Sequence, residues 1–408
     1  MKRRTLLAAA LAAPYVARAQ SKPRVVVVGG GYGGATAART LHEAGLDTTL
    51  VEANREYVSC PFSNHHVAGL RGMDEQRFGY SKFAGIRVIH ARATAVDGQK
   101  RTVTVDGTPL PYDRLLLSPG VDLRPGGLPG YGPELEGRFP HAWKAGPQTV
   151  LLRQQLQAMP DNGTVVMSIP PNPYRCPPGP YERASLVAHY LRTHKPRAKL
   201  LVLDSKDAFS KQRLFQAAWA ALYPETLEWV GLSGGGRVTS MDPDGTLQTE
   251  FGAHTGDVVN PIPPQQAGAI AHAAGVADRT GWCPVDPQTF ESRLMPGVHV
   301  IGDAAIMGAM PKSAFSAGAQ AKVCAAAIVA LLNDRTPDEP RMINTCYSLV
   351  APGYGISVAG VYRPVSGQLT DIEGAGGTSP LDAPAETRAL EAGYGEAWYK
   401  TATAEAFG

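Results

Sequence analysis

The clearest hydrophobic pattern of the chain begins with four consecutive valines at residues 25–28. An apolar run of this length predicts a short buried strand of a parallel sheet. Apolar residues then recur at helical spacing up to Gly45, and a second apolar segment, DTTLVE, ends at Glu52. Five glycines lie between the first strand and the body of the helix, and four of them are the predicted cofactor-binding residues: Gly29, Gly31, Gly33 and Gly34. The pattern therefore predicts a complete βαβ unit.

The glycines of this turn follow the G-x-G-x-x-G spacing. Such a turn lets the backbone approach a pyrophosphate at the N-terminus of the helix, where free N–H groups favour negative charge. Glu52, at the end of the second strand, can accept a hydrogen bond from a ribose hydroxyl, which fits a ribose without a 2′-phosphate. The unit is therefore expected to bind a dinucleotide.

Two later segments favour FAD as that dinucleotide. The segment PYDRLLLSPG predicts an apolar strand followed by a small-residue turn at Gly120. The segment PGVHVIGDAA predicts a strand that ends at Gly302 and Asp303, and this carboxylate can accept from the ribityl chain of a flavin. Between the first unit and Gly120, we predict one strand in IRVIHARATAVD and a hairpin turn at Asp106-Gly107.

A second αβ unit begins with the predicted strand at residues 164–169 and ends with the strand KLLVLD at Asp204. Its turn contains prolines where a dinucleotide-binding turn has glycines: Pro170, Pro171, Pro173, Pro177 and Pro178. Proline lacks an N–H donor and fixes φ, so this turn cannot wrap a pyrophosphate. We therefore predict a degenerate nicotinamide-type unit, with Cys176 in place of the phosphate-binding residues.

The first 20 residues have a basic start, a short apolar stretch and an A-x-A-like sequence at Ala17–Ala19. They predict an export signal over residues 1–19 and a periplasmic mature protein, and the Arg3-Arg4 pair favours the twin-arginine route over an ordinary secretory signal. Removal of the signal leaves 35 basic against 36 acidic residues, so no nucleic-acid partner is implied. No later apolar stretch approaches the roughly 18 residues of a membrane-spanning helix.

The chain contains five cysteines, and an odd number cannot all form pairs. Cys176 and Cys346, which we place just before a strand, are compatible either with a stabilising bridge or with a redox-active disulfide beside a flavin. Cys60 follows Glu52 on a loop expected near the flavin; it is either a small buried residue or the site of a thioether bond to the cofactor. Glu182 is either a carboxylate of the first helical turn or a base.

Neither C-x-x-C-H nor a C-x-x-C metal pair occurs, so we expect no haem and no metal site on this chain.

Several segments together resemble the flavoprotein subunit of flavocytochrome c sulfide dehydrogenase. They are the glycine turn with Glu52, SCPFSN around Cys60, RCPPGPYER around Cys176, FSKQRLF from Phe209, VVNPIPPQQAG from Val258, IGDA from Ile301 and NTCYS around Cys346. The resemblance implies that Cys60 carries FAD covalently and that Cys176 and Cys346 form an active-site disulfide. It also implies a separate cytochrome c subunit, with a heterodimer as the assembly, and oxidation of sulfide to persulfide or zero-valent sulfur.

The resemblance further implies an α/β fold of the glutathione reductase type. We expect an FAD-binding domain from residues 20–145 and 280–340, a degenerate nicotinamide-type domain over residues 146–279, and a C-terminal α+β interface section over residues 341–408. In the last section, a turn followed by two strands is predicted, and its polar tail argues against membrane docking.

Three other functions remain open. A sulfide:quinone reductase would share the fold and the cysteine chemistry, but its quinone-accepting C-terminus is not evident. An NADH-dependent disulfide reductase is opposed by the proline-rich turn. A non-catalytic flavoprotein that binds a sulfur-oxidising complex would have the same cofactor without turnover.

Overall fold

The structure is a computed structural model of the chain and describes residues 22–408. The predicted export signal at residues 1–19 lies outside the described residues.

The strands, in chain order, are β1 (Arg24–Val28), β2 (Asp47–Val51), β3 (Glu56–Val58), β4 (Arg77–Gly79), β5 (Arg87–Ile89), β6 (Ala93–Asp97), β7 (Thr102–Val105), β8 (Thr108–Pro111), β9 (Arg114–Leu117), β10 (Val121–Leu123), β11 (Thr164–Ile169), β12 (Lys199–Asp204), β13 (Leu227–Val230), β14 (Val238–Met241), β15 (Leu247–Thr249), β16 (Gly252–His254), β17 (Val258–Pro261), β18 (Gln265–Ala267), β19 (Cys283–Pro284), β20 (Val298–Val300), β21 (Ala305–Ile306), β22 (Met342–Ala351), β23 (Tyr354–Val365), β24 (Gln368–Asp371) and β25 (Gly377–Thr378). The helices are α1 (Tyr32–Glu43), α2 (Ser63–Val67), α3 (Pro147–Ala158), α4 (Gly179–His194), α5 (Gln212–Leu222), α6 (Ala269–Ala273), α7 (Ala314–Leu332) and α8 (Ala385–Phe407).

The first sheet has five parallel strands in the order β20-β9-β1-β2-β5. The valines of β1 are buried in its centre, in a core that also contains residues of α1, α7 and β7, which explains why the strand is apolar throughout. The order places the carboxyl ends of β1, β9 and β20 side by side. In a parallel sheet, the turns that follow these ends form the crevice in which ligands bind.

The second sheet has four parallel strands in the order β13-β12-β11-β17, so β11, α4 and β12 repeat the βαβ arrangement of β1, α1 and β2. The chain passes from the first unit to the second through β10 and returns through β18, and these two strands form an antiparallel ribbon. The second unit is therefore inserted into the first.

The prediction of one strand in IRVIHARATAVD is wrong. The segment divides into β5, which belongs to the first parallel sheet, and β6, which pairs with β7 in a three-stranded antiparallel sheet. The chain bends between them at Ala91, whose N–H donates to the carbonyl of Ile89 at 3.0 Å. An apolar pattern could not show this bend because both halves are strand-forming. The hairpin predicted at Asp106-Gly107 joins β7 to β8.

The C-terminal section is a long antiparallel hairpin of β22 and β23, with β24 and β25 paired to β23 and the helix α8 packed on it. Cys346 lies within β22, not before a strand as the sequence suggested, and is paired with Val358 of β23. The last residues are part of the core, because Phe407 stacks on Tyr57 with ring centroids 5.3 Å apart.

The expectation that no later apolar stretch approaches the length of a membrane span is also wrong. Within residues 22–408, one helix, α7, is long enough and apolar enough to cross a membrane. It has 19 residues, and half of it is buried inside the protein. Its small residues pack against α1 in the core of the first unit, with Cys324 and Ile328 fully buried. Length and composition alone do not separate such a core helix from a membrane span.

Candidate active site

A cavity with a volume of about 1670 Å³ lies where the two dinucleotide-type units and the C-terminal section meet. This volume exceeds the roughly 300–1,000 Å³ of ordinary small-molecule pockets. The predicted site residues that line the cavity are Gly29, Gly31, Gly33, Glu52, Cys60, Gly120, Cys176, Glu182, Gly302, Asp303 and Cys346. Of the predicted residues, Gly34 alone does not line the cavity; it packs behind the turn.

The glycine turn after β1 is too crowded for side chains. A Cβ atom on Gly34 would lie 1.8 Å from the carbonyl oxygen of Gly29, and Gly29 itself has φ +98°. The turn leads into α1, whose N-cap, Gly31, makes no side-chain capping bond. The first N–H groups of a helix have no partner within it, and the residues that carry them line the cavity.

Glu52 is held by donors at the end of β2. One carboxylate oxygen accepts from the N–H of Gly30 at 2.7 Å, and the other accepts from the N–H of Asn54 at 2.8 Å. The side chain is half-buried and lines the cavity, so its remaining lone pairs can accept from a ligand hydroxyl.

At the far side of the first sheet, Gly302 and Asp303 follow β20. Oδ1 of Asp303 is buried and has no hydrogen-bond partner, while Oδ2 lies 4.0 Å from Nη1 of Arg175. Burial raises the pKa of Asp303, although Arg175 and Lys312 lower it. A buried acceptor without a partner is costly, so Asp303 is suited to a hydroxyl of a bound ligand.

Cys60 lies on the loop after β3, and its Sγ is 3.9 Å from the carbonyl oxygen of Trp143. The neighbouring Ser59 bonds Tyr32 of α1 at 2.9 Å, which fixes the loop beside the glycine turn. Cys60 is half-buried and lines the cavity, so it is accessible to a group bound there.

Cys176 occupies the proline-rich turn at the N-terminus of α4, with φ +57°. Its N–H donates to the carbonyl of Lys312 at 2.8 Å, and its carbonyl accepts from Gly179 at the same distance. A Cβ atom on Gly179 would lie 2.9 Å from Sγ of Cys176, so the helix starts with glycine where the thiol packs. Burial raises the pKa of the Cys176 thiol, and Cys346 and Glu182 raise it further.

Cys346 reaches the same cavity from β22. Its Sγ accepts from Nδ2 of Asn344 at 3.3 Å. Burial raises the pKa of Cys346, whereas Lys211 and the Asn344 amide lower it. The structure brings Cys176 and Cys346 together from segments 170 residues apart, with all five cysteines as free thiols. The disulfide between them stays a prediction.

Glu182 projects from the first turn of α4 into the cavity. Oε1 accepts from the N–H of Leu349 in β22 at 2.9 Å, and Oε2 accepts from Nδ2 of Asn64 at 2.8 Å. Burial raises the pKa of Glu182 against the opposite effect of these two hydrogen bonds. The carboxyl therefore connects the helix that follows Cys176 to the strand that carries Cys346.

Sequence reasoning missed Lys211 and Arg183 as residues of this region. Lys211 lies in the FSKQRLF segment and donates to the carbonyl of Cys346 at 2.9 Å. Arg183 is buried and donates to Oδ1 of Asn64 at 3.0 Å and to the carbonyl of His141 at 2.9 Å. No spacing in the sequence relates these side chains to the cysteines, since their contacts arise only from packing between segments.

The end of β12 differs from the end of β2. Asp204 is fully buried, accepts from Tyr181 Oη at 2.7 Å and from Trp229 Nε1 at 3.1 Å, and pairs with Lys206 Nζ at 2.6 Å. A ribose could not reach this carboxylate. The burial of Asp204 and the proline-rich turn both oppose dinucleotide binding by this unit. The burial was not predicted from the sequence.

The residues around the first unit fit a flavin dinucleotide. The glycine turn and the helix end can hold a pyrophosphate, Glu52 can accept from the adenosine ribose, and the unpartnered oxygen of Asp303 can accept from the ribityl chain. The two thiols and Cys60 line the same cavity, next to the place where a flavin ring would follow.

Three family models match the chain. "Pyridine nucleotide-disulphide oxidoreductase" matches residues 23–154, "Sulfide dehydrogenase [flavocytochrome c] flavoprotein chain, central" matches residues 149–263, and "Flavocytochrome c sulphide dehydrogenase, flavin-binding" matches residues 338–407. The last match assigns flavin binding to the section in which the sequence predicted an interface.

Similar curated proteins cover limited parts of the chain. The sulfide dehydrogenase [flavocytochrome c] flavoprotein chain of Chlorobaculum thiosulfatiphilum is 54% identical over 43 residues, which are 10% of this chain and 90% of that sequence. Ferroptosis suppressor protein 1 of Taeniopygia guttata is 34% identical over 114 residues, 26% of this chain and 28% of that protein. A type II NADH:quinone oxidoreductase of Mycobacterium tuberculosis is 30% identical over 106 residues, 24% of this chain and 23% of that protein. The chain thus spans about a quarter of each of the last two.

Among solved structures, the sulfide:quinone oxidoreductase of Aquifex aeolicus has a TM-score of 0.71 at 17% identity, over 94% of this chain and 92% of that one. Putidaredoxin reductase, in its covalent complex with putidaredoxin, has a TM-score of 0.65 at 18% identity over 90% and 93%. These similarities concern the fold alone. With the two parallel sheets described above, they confirm the predicted α/β, reductase-like fold class.

Proposed function

Because this chain belongs to the family of flavoprotein chains of flavocytochrome c sulfide dehydrogenase, and is thus a flavin-binding oxidoreductase, we propose that it oxidises sulfide to persulfide or zero-valent sulfur. In this proposal, Cys176 and Cys346 form a redox-active disulfide, and the electrons pass to a separate cytochrome c subunit. Together the two chains form a heterodimer.

The observation that carries the proposal is that both cysteines line the cavity of the glycine turn. Cys176 comes from the inserted unit and Cys346 from the C-terminal hairpin, yet Glu182 bonds the backbone of the hairpin three residues beyond Cys346. A bridge that only stabilised the fold would not need a place beside the cofactor cavity. The position therefore favours redox chemistry over a purely structural role.

FAD bound in the cavity would supply the two-electron acceptor for the dithiol and the one-electron donor for a haem protein. Cys60 is proposed to bind this cofactor covalently through its thioether, which would prevent its loss. The glycine turn, Glu52 and Asp303 would hold its phosphates and hydroxyls.

The chain's own residues would act on sulfide as follows. HS⁻ attacks one sulfur of the disulfide, which is ordinary thiol–disulfide exchange and leaves one persulfide and one thiolate. Glu182 is proposed to take the proton of hydrogen sulfide; this is supported by its carboxyl, which lines the cavity, and by its pKa, which burial raises.

We also propose that the mature protein is periplasmic and exported with cleavage of residues 1–19. The proposed separate cytochrome fits the lack of a C-x-x-C-H sequence in this chain. Purification from the native periplasm, followed by a haem stain of the co-purified chains, tests both the partner and the location. A flavoprotein recovered from the cytoplasm without a haem protein would contradict them.

The cysteine roles are tested by substitution. Cys176→Ser and Cys346→Ser should each abolish sulfide-driven bleaching of the flavin and leave the flavin bound. If the bridge were only structural, its loss would mainly lower the free energy of unfolding, by about 2–5 kcal/mol, and with it the melting temperature. Acid precipitation should leave yellow wild-type protein and colourless Cys60→Ser protein. Free flavin in the wild-type supernatant would exclude the covalent bond.

The acceptor is tested by steady-state assays with cytochrome c and with quinone analogues. Reduction of cytochrome c is expected. Fast reduction of quinones with none of cytochromes would instead assign a sulfide:quinone reductase, and no sulfide turnover with either acceptor would assign a non-catalytic flavoprotein.

A further inference from the structure

Lys211 is a buried lysine that bonds only neutral groups. It precedes α5 with φ +62°, and the residue is 8% exposed. Its Nζ donates to the carbonyl of Cys346 at 2.9 Å, to Oγ of Ser348 at 2.7 Å and to the carbonyl of Ile356 at 3.4 Å. The ammonium group thus lies under the strand that carries Cys346 and ties it to β23.

Within residues 22–408, no carboxylate lies within 4.0 Å of this ammonium group. A buried charge without an ion pair is costly, and burial lowers the pKa of Lys211 to about 8. Lys206, by contrast, has a direct partner in Asp204 at 2.6 Å, whereas Lys312 donates to the carbonyls of Asp303 and Ala305. Lys211 therefore has no carboxylate in direct contact and is available to stabilise a negative charge that forms on a neighbouring group.

The groups that face Lys211 come from four elements. They are Cys346 of β22, Glu182 of α4, Cys176 of the proline-rich turn and Glu391 of α8, in decreasing order of their effect on its charge. Tyr362 of β23 also faces Cys346. Burial has the largest effect on the pKa of Lys211, and among the groups that face it, the cysteine whose carbonyl it binds raises this pKa most.

We propose that Lys211 is a positioning residue that stabilises negative charge on Sγ of Cys346, so that sulfide attacks Cys176 and Cys346 departs as the thiolate. The proposal rests on the proposed function. Two observations support this direction. As whole residues, Cys176 is half-buried whereas Cys346 is 8% exposed. Cys346 has both Lys211 and the Asn344 amide beside it, and a better stabilised thiolate leaves faster.

The step is balanced within the site. HS⁻ forms an S–S bond to Cys176, and the S–S bond between Cys176 and Cys346 breaks. The products are a persulfide on Cys176 and a thiolate on Cys346, so the charge of HS⁻ is transferred to Cys346. The disulfide is the oxidant, and no other reactant is needed.

Three variants test the role of the charge. Lys211→Met removes the charge and keeps the length, and Lys211→Arg keeps the charge. The control is Lys195→Met, because Lys195 is half-buried and donates to the carbonyl of Met159 at 2.6 Å. Lys195 lies about 20 Å along α4 from Glu182, so the Lys195→Met variant loses a similar contact far from the cysteines.

The first readout needs no sulfide. In a Cys176→Ser background, the rate of Cys346 alkylation is followed against pH. Lys211→Met should raise the apparent pKa of Cys346 by about one unit, which lowers the alkylation rate near neutral pH about tenfold. Lys211→Arg and Lys195→Met should keep the profile. An unchanged pKa in Lys211→Met protein that still melts near the wild-type temperature would overturn the proposal.

The second readout is sulfide-driven flavin bleaching with both cysteines present. Lys211→Met should slow it about tenfold near neutral pH, and Lys211→Arg should restore it. The wild-type rate relative to that of Lys211→Arg should fall as pH rises through about 8. Lys211 then loses its proton, whereas an arginine stays charged. If Lys211→Met does not fold, equal alkaline profiles of the wild type and Lys211→Arg would still contradict the proposal.

The direction of attack is read by rapid quenching with an alkylating agent and mass spectrometry. A persulfide on Cys176 and a blocked thiolate on Cys346 are expected; the reverse labels would overturn the assignment. If wild-type protein does not react with sulfide at all, the proposed function fails, while the alkylation profile still decides whether Lys211 acts on Cys346.

Discussion

Two βαβ units in this chain have the same strand order and different residues at the same two positions. After β1 the turn consists of glycines and leads to open N–H groups, whereas after β11 it consists of prolines and carries Cys176. At the end of the second strand, Glu52 is half-buried beside the cavity, whereas Asp204 is fully buried under Tyr181, Lys206 and Trp229. The first unit is thus built to bind a dinucleotide.

The second unit has the same βαβ topology but no dinucleotide-binding site. Its aromatic residues cover the end of β12, since Tyr181 donates to Asp204 and stacks on Phe209 with ring centroids 3.6 Å apart. Its turn instead delivers a thiol to the cavity of the first unit. One topology can therefore hold a cofactor in one copy and position a reactive side chain in the other.

The largest effect is expected from Gly34→Ala in the first turn. The new Cβ atom would lie 1.8 Å from a backbone oxygen, so the turn cannot keep its shape, and we expect colourless or insoluble protein. Pro171→Ala, at an exposed position of the second turn, should keep the flavin. The flavin spectrum of purified protein measures both.

A third substitution controls for the loss of glycine itself. Gly318 lies in α7, and a Cβ atom added there would meet no neighbouring group within 4 Å, so Gly318→Ala should stabilise the helix by about 0.5–1 kcal/mol and keep the flavin. A yellow, stable Gly34→Ala protein would mean that the two turns are not as different as their sequences suggest.

The next largest effect is expected from Asp204→Asn. Removal of one partner from a buried ion pair costs about 3–5 kcal/mol, because Lys206 is left without its anion. The melting temperature should fall, while the flavin content and sulfide-driven bleaching of the remaining folded protein stay at wild-type values. Loss of flavin from folded Asp204→Asn protein would indicate that the second unit still contributes to cofactor binding.

A smaller effect, on flavin affinity and not on stability, is expected from Glu52→Gln. In a Cys60→Ser background, in which the proposed covalent bond cannot form, loss of a charged acceptor should weaken flavin affinity by about 1.5–3 kcal/mol. Stability without flavin should change little, since Glu52 is half-buried. Fluorescence titration with FAD measures the affinity. A large loss of stability with unchanged affinity would give Glu52 the structural role that we assign to Asp204.

No effect is expected from NADH or NADPH. Neither the proline turn nor the sealed Asp204 can hold a nicotinamide dinucleotide, so stopped-flow mixing should leave the flavin oxidised, while sulfide bleaches it in the same apparatus. Bleaching within seconds by micromolar NADH would show that the second unit binds a dinucleotide in another way.

The sequence by itself determined the elements whose chemistry is local. The four valines, the glycine turn and Glu52 follow one another within 28 residues, so strand, turn and helix could be derived from spacing and steric limits alone. The prolines near Cys176 likewise excluded a phosphate-binding turn, because a missing N–H group is a property of the residue itself.

The tertiary structure decided which distant residues meet. Cys176, Cys346 and Lys211 lie far apart in the chain, and only the packing of the inserted unit against the C-terminal hairpin places the ammonium group under the strand of Cys346. The bend at Ala91, the burial of α7 and the sealing of Asp204 also depend on neighbours from other segments. Burial, and with it the charge state of a buried lysine or carboxyl, is set by the surrounding segments, so no local pattern could give it.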